Sequence, residues 1–116
     1  MSTNSKDNAP VRKAKEALGR LLAIAQRDTG QSRRVADFLL SWWNAGSCGG
    51  FDITTAWGCD AEIRADMAIV FAWAIVVQQY PDTLGYERQF KAVIREWRPE
   101  LDREDAKWRD GAGAWK

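Results

Sequence analysis

Asp60–Tyr80, DAEIRADMAIVFAWAIVVQQY, is the stretch whose reading decides the fold, because the eleven residues from Met67 to Val77 include no charged or amide side chain. At about 100° per residue, Ile63, Met67, Val70, Ala74 and Val77 form one apolar stripe, and Ile69, Trp73, Ile75 and Val76 cover its flanks. A helix apolar nearly all round calls for neighbours on every side, so residues 60–80 are expected to be the buried central helix of a bundle. Glu62, Arg64 and Asp66 sit in its first two turns, and that end must reach water.

Composition sets the limits outside this stretch. A chain of 116 residues, 46% apolar and 28% charged, fits one soluble domain with a core of its own. Its longest apolar run is far short of the roughly 20 residues that cross a bilayer. No apolar segment follows the first charges, and a cytoplasmic location is expected. The chain has no histidine. That removes Ser-His-Asp and Cys-His nucleophiles, imidazole acid-base catalysis and His-ligated zinc. No catalytic motif is present, and neither an enzyme nor a cofactor is expected. Cys48 and Cys59 flank a Gly-rich loop; their spacing permits a disulfide, but free thiols are the expectation for a cytosolic protein.

Charge is segregated along the chain. Residues 1–34 carry eight Lys or Arg against three acids, residues 35–85 one base against six acids, and the rest is nearly balanced. This bears on partners only if the fold keeps the groups apart.

After a polar leader, residues 1–9, an amphipathic helix is expected from Pro10 to about Asp28, with Val11, Ala14, Leu18, Leu21, Leu22 and Ala25 in its stripe. Lys13, Arg20 and Arg27 line its opposite face at seven-residue spacing. With Arg33 and Arg34 they form a candidate nucleic-acid surface, softened by Glu16 within pairing distance of Lys13 and Arg20. Ser32 opens a second helix to about Asn44, with Val35, Phe38, Leu39 and Trp42 buried. Trp43 lies about 100° from Trp42, so one indole belongs at the edge of the core, where it is a candidate interface anchor.

In GSCGGFDITTAWGC, residues 46–59, Asp52 can cap a short helical turn, and Phe51 and Trp57 are large enough to strap the loop to the core. The Lys-Ser/Thr pair of a phosphate-binding loop is missing. Asp60 is the expected N-cap of the helix that follows, and Glu62 and Asp66 share its early flank, where the helix dipole favours negative charge. With Asp52 they could ligate a divalent cation, although capping alone accounts for Asp60 and Glu62. Residues 80–85, YPDTLG, make a turn, and a fourth helix runs from about Tyr86 to Trp97 with Tyr86, Phe90, Val93 and Trp97 on one face. Residues 100–116 form a charged tail carrying Trp108 and Trp115. The expected fold is all-α: four principal helices, residues 10–99, around the helix 60–80.

The Trp42-Trp43 helix end, the Gly49-Gly50-Phe51-Asp52 loop leading to Trp57 and Asp60, Tyr80-Pro81-Asp82 and Trp97-Arg98-Pro99 occur together here. In this combination, residues 33–99 resemble a group of small proteobacterial proteins of unknown function carried on phages and integrative elements. In size and absence of a catalytic signature the chain also resembles anti-CRISPR proteins as a class. The resemblance implies a protein-binding inhibitor of host defence, whose partner is a type I CRISPR effector subunit or its recruited nuclease-helicase. Asp52, Asp60, Glu62 and Asp66 would supply charge toward that partner, and Trp43 and Trp57 apolar contact. A nucleic-acid-binding accessory protein using the basic first helix is the alternative.

Overall fold

A computed structural model of the chain describes residues 8–102. Four α-helices account for most of them: α1 (Ala9–Ala25), α2 (Gly30–Cys48), α3 (Ala61–Val77) and α4 (Glu87–Trp97), with 3₁₀ helices at Ile53–Gly58 and Pro81–Leu84. The fold is all-α, and no strand occurs among the described residues. The leader up to Asp7 and the tail from Arg103, with Trp108 and Trp115, lie outside the described residues.

The helix ends follow local chemistry. Asn8 accepts from the Val11 N–H at 2.9 Å and caps α1, with Pro10 in the first turn, where its missing N–H costs nothing. Thr29 caps α2 by accepting from the Ser32 N–H at 3.0 Å. Asn44 leaves the helical conformation and kinks α2, and its side chain accepts from the Ser47 N–H, opening one further turn to Cys48. α3 stops at Val77, where its apolar run ends and three residues short of the expected Tyr80, because Gln78 adopts a left-handed cap with φ 55°.

The core is built by α1 and α2. Leu18, Leu21 and Ala25 of α1 and Val35, Leu39 and Leu40 of α2 are fully buried, and Phe90, Val93 and Ile94 of α4 close the other side. Trp97 donates its indole N–H to the Ala25 carbonyl at 2.6 Å, clasping the end of α1 to the end of α4. Arg98 continues the clasp by donating to the Cys48 carbonyl and, at 2.8 Å, to the Asp37 carboxylate.

The helix 60–80 is not the buried centre. Only Met67 and Val70 of α3 are buried; the helix lies on α1, and Phe71, Ile75 and Val76 are 52, 57 and 78% exposed. The reason is geometric. The molecule measures 47 × 34 × 20 Å, and a thickness of 20 Å holds about two layers of helices whose axes are 8–10 Å apart. In two layers every helix keeps an outer side, whatever its composition.

The stripe of α2 is also rotated from expectation. Trp43, not Trp42, is the buried indole, 2% exposed and stacked on Phe90 with centroids 5.7 Å apart. Phe38 and Trp42 are half-buried instead. Trp42 packs edge-on to Trp73 and Phe90, and its N–H reaches the Gln79 carbonyl at 3.0 Å, pinning the chain just beyond α3.

Candidate functional site

The rotation of α2 and the outward face of α3 leave an apolar groove between them. Its main chamber, about 440 Å³, is walled by Phe38 and Ala45 of α2, Phe51 and Ile53 before and within the first 3₁₀ helix, and Met67 and Phe71 of α3. A second chamber of about 290 Å³ shares Phe38 and Phe71 and continues along α3 past Val70, Ala74 and Ile75. Arg64 is the one charged side chain lining either chamber. It donates to the Cys59 carbonyl at 2.6 Å, which leaves the walls almost wholly hydrocarbon.

Polar straps hold the groove's loop wall. Phe51 packs edge-on against Phe38 with centroids 5.3 Å apart. Arg34 of α2 donates to the Thr55 carbonyl at 2.8 Å, and Gln31 accepts from the Asp60 N–H at 2.7 Å. Gly58 leaves room for Arg34 to cross: a Cβ there would stand 2.5 Å from the guanidinium carbon and push it aside. Asp52 caps the 3₁₀ helix through the Thr54 N–H and hydroxyl at 3.0 and 2.8 Å. These two bonds hold its carboxyl below the usual carboxylate range. Trp57 does not strap the loop as expected; it is 75% exposed at the outer edge, one residue beyond the groove-lining Ala56.

The predicted site residues separate in space. Asp66 receives a two-pronged pair from Arg20 of α1 at 2.9 and 3.0 Å. That bond raises the Arg20 pKa, with Coulombic attraction to the same carboxylate the second cause. One of four acids and one of five bases are thereby spent on each other, and the segregated charges interleave. Asp52 is committed to its cap, while Asp60 and Glu62 are exposed at the start of α3. Among the basic residues, Lys13, Arg27 and Arg33 are exposed and Arg34 is held at Thr55. Trp43, expected as an interface anchor, is a core residue; Trp57 is the exposed one. Among the described residues no three His, Cys, Asp or Glu side chains gather as metal ligands. Cys48 and Cys59 are buried free thiols, and burial raises the pKa of both despite nearby arginines. They are protonated and sheltered, the opposite of a nucleophile.

The groove-lining Phe38, Ile53 and Phe71 did not figure as site candidates in the sequence. The signal for Phe71 was the excess of apolar residues in Met67–Val77 over what two helical layers can bury; Phe38 and Ile53 carried none.

Fold and site together define a small helical domain with a displayed apolar groove. The chain belongs to a family of unknown function, DUF7673, whose model matches residues 15–98. The matched span runs from within α1 to the Arg98 clasp, so it takes in most of the helix that the resemblance from residue 33 leaves out. No curated protein and no solved structure matches the chain.

Proposed function

We propose that the protein is a non-enzymatic binding module that holds an apolar segment of a partner protein in the groove between α2 and α3. The observation that carries this is the groove itself: two joined chambers walled by Phe38, Phe51, Ile53 and Phe71. Exposed apolar surface on this scale is costly in water, and aromatic-walled grooves commonly receive an amphipathic helix or a side-chain anchor. Asp60 and Glu62 are exposed at the start of α3 and would favour a partner that carries basic groups near its apolar anchor.

The resemblance to mobile-element proteins gives the function its particular form. The partner would be a type I CRISPR effector subunit or its recruited nuclease-helicase, blocked by occupation of a working surface. Expression in a host with active type I immunity should then restore plating of a targeted phage, and Phe71→Glu should remove that effect at unchanged helix content. If plating stays suppressed while purified effector also fails to bind, the inhibitor assignment is wrong. A nucleic-acid-binding accessory role would rest on Lys13, Arg27 and Arg33 alone, since Arg20 and Arg34 are committed. Retardation of DNA at low salt that weakens steeply as salt is added would favour it.

A further inference from the structure

The outward side of α3 is an apolar surface that adjoins the groove and shares Ala68 and Ile75 with its chambers. Ile69, Ile75 and Val76 are exposed there, and no charged residue occurs from Met67 to Val77. Between them run Ala61, Ala65, Ala68 and Ala72, all exposed, followed by Ile75. Their spacing of four, three, four and three residues is that of a two-helix seam. We propose that this face is the interface of a homodimer, in which α3 packs antiparallel against α3 of a second copy.

The shape of the face selects this occupant. Its N-terminal half is small, with alanine at 61, 65 and 68, and its C-terminal half is large, with Ile75, Val76 and the exposed Tyr80 beyond. An antiparallel copy brings large against small at both ends of one seam, which is the self-complementarity a two-fold interface requires. In the register that centres the seam, Ala68 faces the partner's Ala72, and Ala65 faces the partner's Ile75. A parallel copy would set Val76 against Val76 and Glu62 against Glu62, leaving a gap between the alanines.

Charge points the same way. The antiparallel arrangement carries the exposed Glu62 of each copy to opposite ends of the dimer, and the antiparallel helix dipoles attract. The chain's formal net charge of +1 opposes association little. An anionic membrane would need Lys or Arg along the edges of this face, and its C-terminal two-thirds has none. One exposed side of a 17-residue helix is smaller than the roughly 800 Å² per partner of a standard interface, so the dimer is concentration-dependent.

Sedimentation equilibrium of the full chain, from about 10 µM to about 1 mM, spans the weak-affinity range such an interface predicts. The weight-average mass should rise from 13.1 kDa toward twice that value. Val76→Lys, at a position already exposed, should weaken association at least about tenfold, because it sets an unpaired charge in the large apolar end of the seam. Phe51→Ala, confined to the groove, should leave it unchanged. In an equal mixture of Ala65→Cys and Ile75→Cys chains under mild oxidation, the mixed disulfide should dominate. A monomer throughout the range, an unchanged dimer in Val76→Lys, bonds formed only between like variants, or binding to anionic vesicles without self-association would each overturn the proposal. Loss of partner binding in Phe51→Ala with the dimer intact would concern the groove alone.

Discussion

The indoles Trp43 and Trp57 show how little residue type alone says about role. Trp43 is buried against Phe90, whereas Trp57 stands in solvent. Trp43→Ala should therefore cost about 3–5 kcal/mol of stability, and Trp57→Ala about 0.5 kcal/mol or less, measured by urea denaturation. The thiols make a second residue-level prediction. Burial raises the pKa of Cys48 and Cys59 in the folded chain. Above the unfolded thiol pKa of about 8.5 the unfolded state releases protons that the folded state keeps, so stability should fall as pH rises through the alkaline range. Burial of Tyr86 adds the same trend at higher pH. In Cys48→Ala the slope should be shallower, and native protein should react slowly with a thiol reagent until denatured.

At the scale of elements, the helices were legible and their faces only partly so. The α1 stripe Ala14, Leu18, Leu21, Leu22 and Ala25 is buried as its spacing predicts, because a strongly amphipathic helix has one possible orientation. α2 offers apolar residues at 38, 39, 40, 42 and 43, so periodicity permits two neighbouring stripes; Trp43 stacks on Phe90 of α4 and is buried, whereas Trp42 meets the same ring edge-on and stays half-buried. α3 turns its expected stripe Ile63, Met67, Val70, Ala74 and Val77 inward, but a helix apolar nearly all round does not announce that its flanks Ile69, Ile75 and Val76 stay exposed. The loop wall depends on Gln31 and Arg34, polar residues whose partners lie more than 20 positions away and which no local pattern announces. Gly58→Ala should displace the Arg34 guanidinium from the Thr55 carbonyl. Amide exchange in residues 53–58 should then accelerate while that of α1 stays slow.

For the whole molecule, the two-layer build converts surplus apolar sequence into surface. The all-α class followed from helical spacing and stop signals, but the rank of the helices did not, because thickness is a property of the assembled chain. The carboxylates singled out around residues 52–66 are divided by that assembly among a cap, an ion pair and open solvent. What remains as a coherent surface is the apolar groove and the outward face of α3. The claim on which both proposals stand is that the outer side of Met67–Val77, with Phe71, Ile75 and Val76, is displayed rather than enclosed. Equilibrium denaturation of the Ile75→Lys, Val76→Lys double variant, at a concentration where the chain is monomeric, tests it directly. Two exposed positions near a helix C-terminus should accept lysine with a change of about 0.5 kcal/mol or less. A loss of several kcal/mol, the cost of forcing unpaired charge into a core, would mean that the helix is buried and that neither surface exists.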